Sequence, residues 1–193
     1  QKVRLFYRQL GIENVGQLKV AAQSGKLRLL PGMSQKSEEN ILKALDTFHR
    51  ALGRFLLSDV TECAETLIAF LREFKSVETV TAAGSLRRGE ETIRDLDLLV
   101  IGTDHQKVAD HFVNAPGIIE ILAKGKDKVS VRLKNGLQVD VRLLESESYG
   151  AALQYFTGSK EHNVLLRDRA KRRGWKLSEY GLFEGNKCIA GSS

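Results

Sequence analysis

The chain has 193 residues, of which 42% are apolar and 28% charged, with a net charge of +6. That balance excludes a disordered or fibrous chain, no run approaches the roughly eighteen consecutive apolar residues of a membrane-spanning helix, and nothing at the N-terminus reads as a leader. Charge is uneven: residues 1–59 hold ten Lys/Arg against five Asp/Glu, residues 60–145 twelve against fourteen, and residues 146–193 eight against five. Basic flanks around a slightly acidic centre suit a polyanion held at both ends and cations held in the middle; plain charge scatter gives the same totals.

Residues 3–53 read as all-helical. A short helix over 3–10 stops at Gly11, and a second over 17–24 stops before Gly25. Pro31-Gly32 then makes a tight turn between two apolar-periodic segments, with Ser34 or Ser37 to cap the helix carrying Leu42, Leu45 and Phe48. The best amphipathic helix covers 61–74, with Ala64, Leu67, Ile68, Leu71 and Phe74 on one face and Thr61 as its N-cap. Strands are expected over 77–83, 95–101 and 118–123, and a helix over 106–113. Residues 128–134 and 137–144 both alternate, and Asn135-Gly136 between them is a strong hairpin signal. From Ser148 the pattern is helical again, ending in a Gly-rich tail with a short hairpin near 184–189. Cys63 and Cys188 stand far apart without metal-ligand spacing, so neither a disulfide framework nor a zinc site is expected, in keeping with a reducing cytoplasm. Because the sequence opens on Gln1 rather than Met, a piece of a longer chain is expected.

The chemistry concentrates in three carboxylates. In a strand, residues i and i+2 share a face, so Asp95 and Asp97 project together while Leu96 and Leu98 turn to the core. Val139 and Val141 point inward on a later strand, which sends Asp140 to the opposite face. If the two strands are neighbours, three carboxylates converge and repel, and an all-oxygen set suits Mg²⁺ or Mn²⁺. An isolated Asp-x-Asp is more readily read as surface acids on an exposed sheet face. The sequence upstream tips the balance: Gly84-Ser85-Leu86-Arg87-Arg88-Gly89 follows a strand and opens a helical turn, with nine residues between Ser85 and Asp95. Its glycine lets backbone approach a phosphate, Ser85 adds donors and Arg88 adds a guanidinium fork. A phosphate cradle joined to paired carboxylates is what metal-assisted nucleotidyl transfer requires.

Gly-Ser, nine residues, Asp-x-Asp and a later Asp resemble the signature of the polymerase-beta-like nucleotidyltransferases. Tyr155-Phe156-Thr157-Gly158-Ser159, Asn163 and Arg167 are similar to the thumb-side nucleotide pocket of family X DNA polymerases. Lys160-Glu161-His162-Asn163 and Leu177-Ser178-Glu179-Tyr180-Gly181-Leu182-Phe183 resemble the bacterial members. The resemblance covers residues 11–185. It implies an α+β fold: a helical fingers-like segment with a helix-hairpin-helix (1–55), a mixed-sheet palm (56–145) and a small α/β thumb (146–193). It implies a template-directed DNA polymerase adding dNTPs to a primer 3′-hydroxyl, filling gaps in repair, as a monomer in the bacterial cytoplasm, at the nucleoid. Asp95, Asp97 and Asp140 would hold two Mg²⁺ ions, with Mn²⁺ as substitute. Arg54, Gly84, Ser85 and Arg88 would bind the triphosphate. Tyr155, Phe156, Gly158 and Asn163 would bind the sugar and base, and Gly32, Ser34, Lys36 and Arg167 would bind DNA. Ser34 stands where that hairpin usually has a second glycine, and Arg94 where relatives carry glycine. Neither a lyase-like nor a phosphoesterase domain lies within residues 1–193, so no deoxyribose-phosphate lyase activity is expected.

Outside the resemblance, His162 reads as a helix-start residue, Trp175 as packing, and the basic run from Arg167 to Lys176 as a helix face that is solvated or touches DNA. Two other readings share part of the signature: an enzyme adenylating tRNA or a small molecule, and a DNA-binding module without chemistry. The pocket over 155–167 weighs against the first, and the three aspartates weigh against the second.

Overall fold

Side-chain caps set the starts of several helices. The computed structural model describes residues 2–192, apart from the side chains of 46–52, so Phe48 lies outside the described residues. The chain divides into two compact units, Gln1–Gly53 and Arg54–Ser193.

In the first unit, α1 (Lys2–Leu10) ends at Gly11, and α2 (Val15–Gln23) begins two residues before the expected start. The reason is a local cap. Asn14 Oδ1 accepts the Gln17 N–H at 2.9 Å, while Gln17 Oε1 accepts the Glu13 N–H at 2.7 Å. At Pro31-Gly32 the Met33 N–H reaches the Leu30 carbonyl at 3.0 Å, and Gly32 has φ 73°, the positive value a type II turn demands at that position. Of the two candidate serines, Ser34 takes the cap of α3 (Gln35–Leu52), its Oγ accepting the Ser37 N–H at 3.2 Å. Phe6, Ala21, Ala22, Leu27 and Leu30 form the core. Glu38 is buried beside it, accepting bonds from the Arg28 N–H at 3.0 Å and Arg28 Nε at 2.7 Å. Burial opposes ionisation of Glu38, and the Arg28 bonds outweigh it, holding its pKa below the usual carboxylate range.

The second unit opens with β1 (Phe55–Leu56) and α4 (Leu57–Arg72), followed by β2 (Val77–Ala82), α5 (Gly84–Arg87), β3 (Thr92–Ile93) and β4 (Asp95–Gly102). Then come α6 (His105–Phe112), β5 (Ile118–Lys124), β6 (Lys128–Leu133) and β7 (Gln138–Leu144). It closes with α7 (Tyr149–Thr157), α8 (Lys160–Lys171), β8 (Trp175–Ser178), β9 (Gly181–Glu184) and β10 (Lys187–Ala190). Five strands form one sheet in the order β2-β4-β7-β6-β5, with β4 and β7 parallel and every other pair antiparallel. Leu96, Leu98 and Val100 of β4 and Val139, Val141 and Leu143 of β7 pack in one core with Val60, Leu67 and Leu71 of α4 and Phe112 of α6. The opposite parity of β4, Leu99 and Ile101, packs with Ala83, Leu144 and Ala152 of α7. That second face carries Asp95 and Asp97 at the N-terminal end of β4.

Two expectations are corrected. Thr61 is not the cap of the amphipathic helix: α4 begins four residues earlier, and the Thr61 hydroxyl donates back to the Leu57 carbonyl at 2.8 Å, as a helix-interior threonine does. Nor is the C-terminal region helical up to a short hairpin. Trp175 to Ser178 adds a third strand, giving an antiparallel sheet in the order β10-β9-β8. Its alternation is masked by the basic residues before it. Asn135-Gly136 does join β6 and β7, through a turn closed by the Gly136 N–H on the Leu133 carbonyl at 2.8 Å.

Candidate active site

Parallel pairing sets Asp97 level with Asp140 across β4 and β7, and Asp95 level with Gln138. Side-chain alternation puts Asp95, Asp97 and Asp140 on the same face. Burial first, then the neighbouring Asp95 and Asp140 charges, push the Asp97 pKa up to about 7, with Arg142 and Lys128 pulling the other way. Burial of Asp140 alone would raise its pKa. Hydrogen bonds from Lys128, Ser130 and Gln138 reverse the sign and hold it low. Lys128 Nζ lies 2.7 Å from Asp140 Oδ2, and Gln138 Nε2 donates to Oδ1 at 3.1 Å. Among the described residues no three acidic, histidine or cysteine side chains close into a ready cation cage. The donor set is nonetheless all oxygen, and the repulsion focused on Asp97 is what a divalent cation relieves, so these residues fit Mg²⁺ or Mn²⁺.

The turn before β4 is shaped to reach these acids. Gly84 has φ 59°, and a Cβ there would stand 2.3 Å from Asp97 Oδ2, so glycine alone permits the approach. The Ala83 N–H donates to the Asp97 carbonyl at 2.9 Å and ties the turn to the strand. Beyond it opens a cleft of about 870 Å³ lined by Ser85, Arg88, Asp95, Asp97, Tyr155 and Arg167, among others. Arg54 enters from the short β1–β3 ribbon, where its Nε donates to Thr92 Oγ1 at 2.8 Å and Nη2 to the Thr92 carbonyl at 2.6 Å. Arg88 Nη1 donates to the Thr157 carbonyl at 2.6 Å, and Arg88 Nε faces Glu90 at 3.3 Å.

On the far wall, Tyr155 and Phe156 meet edge to face at 5.2 Å, and Phe156 also packs into the core beneath the Arg142 guanidinium. Asn163 Nδ2 donates to the Tyr155 carbonyl at 2.6 Å and its Oδ1 accepts from Gln154 at 2.7 Å, so it fastens α8 to α7. Gly158 has φ 73°, and a Cβ there would lie 3.2 Å from Arg88 Nη1. His162 is a helix-start residue whose N–H is capped by Ser159 Oγ at 3.4 Å. Trp175 stacks under Arg173 and donates to Glu184 at 3.4 Å.

The cleft thus gathers Arg54, Gly84, Ser85, Arg88, Asp95, Asp97, Tyr155, Phe156, Gly158, Asn163 and Arg167. Asp140 sits beside it on the sheet rather than in its lining. Gly32, Ser34 and Lys36 are exposed around the turn and first residues of α3, in the other unit. The cleft also contains Arg94, Lys160 and Glu161. Sequence reasoning missed Arg142 and Lys128. Stepping by two from Asp140 finds Arg142, and counting back from the Asn135-Gly136 turn sets Ser130 opposite Asp140 and Lys128 one step further.

Residues 152–193 match the family model "DNA polymerase beta thumb". The chain is 38% identical over 185 residues to "DNA polymerase/3'-5' exonuclease PolX" of Bacillus subtilis, covering 94% of this chain and 32% of that protein. The chain therefore spans about a third of this relative's length. It is 29% identical over 121 residues to "Repair DNA polymerase X" of African swine fever virus, covering 58% of this chain and 68% of the viral protein. The fold matches a ternary complex of Leishmania infantum polymerase beta with a TM-score of 0.62 at 23% identity, covering 95% of this chain and 74% of that one. Among the described residues no helix is long and apolar enough to cross a membrane.

Proposed function

We propose that this chain, which belongs to the family X DNA polymerases of bacterial type, adds dNTPs to a primer 3′-hydroxyl under template direction and fills gaps during DNA repair. The observation that carries this reading is the level pairing of Asp97 with Asp140 beside a glycine turn that opens on an arginine-lined cleft. In it, residues 1–55 act as fingers, 56–145 as palm and 146–193 as thumb, in a monomer working at the nucleoid.

The anchored guanidiniums of Arg54 and Arg88, with Ser85, receive the triphosphate. Because Arg54 is already fixed on Thr92, little side-chain freedom is lost on binding. Tyr155 and Phe156 form the floor under the sugar, where a bulky edge disfavours a 2′-hydroxyl. Asn163, positioned by Gln154 and the Tyr155 carbonyl, presents its remaining N–H towards the base. Arg167 meets the template strand, and the Pro31-Gly32 turn with Ser34 and Lys36 offers N–H groups and a cation to a backbone phosphate. Asp95, Asp97 and Asp140 would hold two Mg²⁺ ions, or Mn²⁺ in their place, which neutralise the phosphates and lower the pKa of the attacking hydroxyl. The aspartates' own contribution is fixed geometry: Asp95 and Asp97 reach the nucleotide side, and Asp140 reaches the 3′-hydroxyl side.

The test is single-nucleotide incorporation on DNA with a one-nucleotide gap, with Mg²⁺ and with Mn²⁺. Incorporation that follows the templating base supports the reading. Untemplated transfer to tRNA or a small acceptor, or DNA binding with no transfer under either metal, overturns it.

A further inference from the structure

The ion pair at Asp140 has a chemistry of its own. Lys128 sits on β6 diagonally across from Asp140, within reach of a long side chain, and its ammonium lies 2.7 Å from Oδ2. The other carboxylate oxygen accepts from Gln138, and the buried Ser130, directly opposite, bonds to the same carboxylate. Only 14% of the Asp140 side chain is exposed, against 36% for Lys128, so one partner is well buried and the other can swing out to water. The arrangement is asymmetric along the row of acids: Asp97 bears the like-charge repulsion, while Asp140 keeps a cation of its own.

We propose that the Lys128 ammonium is a built-in placeholder for the divalent cation at Asp140, and that the cation binds there only by displacing it. This rests on the reading of Asp140 as a ligand on the hydroxyl side. It makes Lys128 a positioning residue that sets the threshold for that cation and keeps the Asp140 carboxylate aimed along the shared face until the cation arrives. A flexible monovalent ammonium suits the role: it satisfies one oxygen, leaves its stem solvated and gives way to a doubly charged competitor. Arginine would grip the carboxylate with two parallel bonds and yield less readily.

Direct Mn²⁺ binding to the whole chain, read by electron paramagnetic resonance without DNA or nucleotide, tests the proposal. Removing a pair of this partly buried kind shifts binding by about fivefold. Lys128→Met, which keeps the aliphatic stem, is expected to bind Mn²⁺ about fivefold more tightly than wild type. Lys128→Arg is expected to bind it more weakly, and this second variant carries the test should the first fail to fold. Adding Asp140→Asn to Lys128→Met should erase the gain. Unchanged or weaker Mn²⁺ binding by a folded Lys128→Met, or unweakened binding by Lys128→Arg, overturns the placeholder. If Asp140→Asn alone leaves Mn²⁺ binding and incorporation untouched, the ligand assignment itself fails, a different result from failure of the placeholder.

Discussion

Asp140 and Asp97 are level on the sheet yet differ in electrostatics, and mutation should separate them. On the proposed assignment, Asp140→Asn removes a charge on the hydroxyl side and leaves Ser85, Arg88 and Arg54 in place. Losing one such stabiliser costs about 3–4 kcal/mol, so incorporation should fall roughly a hundred- to thousandfold with dNTP affinity within about threefold of wild type. Single-turnover incorporation and a dNTP titration on the same gapped DNA measure both; near wild-type incorporation would end the three-carboxylate assignment. Asp97 presents the opposite problem, because its pKa in the fold is about 7 against 3.8 for an ordinary aspartate. The native state therefore holds this proton to higher pH than the unfolded chain, and the contribution of Asp97 to stability is lost as pH rises from about 4 to 7. In the presence of a chelator, Asp97→Asn should be more stable than wild type at pH 8, on the order of 3 kcal/mol, with a smaller gain at pH 5. Mg²⁺ should then stabilise the wild type more than the variant, which keeps only Asp95 and Asp140 to hold it. An equal gain at both pH values in thermal unfolding would show that the packed carboxylates are not its source.

At the scale of elements, the turn and short helix before β4 place backbone against a carboxylate, and two glycines there should respond differently. Gly84 and Gly89 both have positive φ, 59° and 70°, but a Cβ at Gly89 meets nothing within 4 Å whereas one at Gly84 stands 2.3 Å from Asp97 Oδ2. Gly89→Ala should cost only left-handed strain, about 1–2 kcal/mol, with incorporation retained. Gly84→Ala bears the same strain and must also move Asp97, so incorporation should drop at least about tenfold beyond the Gly89→Ala control. Equal activity of the two variants in a folded state would remove the close approach from the mechanism. Much of this architecture is legible in the sequence where alternation is long: β4 and β7 declare which residues share a face with Asp95, Asp97 and Asp140, and Asn135-Gly136 declares that β6 and β7 pair. The β1–β3 ribbon that anchors Arg54 is two residues on each side, too short for any periodicity to register. Thr61 misled because a cap residue and a helix-interior threonine look alike until the start at Leu57 is known. Lys128 and Arg142 were hidden for another reason: their roles depend on cross-strand register and on proximity to charges far along the chain.

For the whole molecule, the decisive property is where the positive charge lies. The chain carries +6 overall, and its excess sits in residues 1–59 and 146–193. Arg167, Arg169, Lys171, Arg172 and Arg173 are all exposed in and just after α8, beginning at the cleft residue Arg167. A solvated helix face and a phosphate-binding face look identical in structure, and salt tells them apart. Each phosphate contact releases counterions, so log K falls with log salt at a slope of about −0.9 per neutralised phosphate. With about four contacts, raising salt fourfold should weaken binding to gapped duplex roughly hundredfold. Replacing Arg167, Arg169 and Arg172 together by Ala should make that slope shallower by about 2–3 if they meet the backbone, and by nothing if water solvates them. Fluorescence anisotropy with gapped DNA across a salt series gives both slopes. Binding that stays flat from low to moderate salt would contradict phosphate-driven affinity for this chain. A triple variant with the wild-type slope would leave the basic face of α8 to water and move the DNA grip to other cations, such as Lys36.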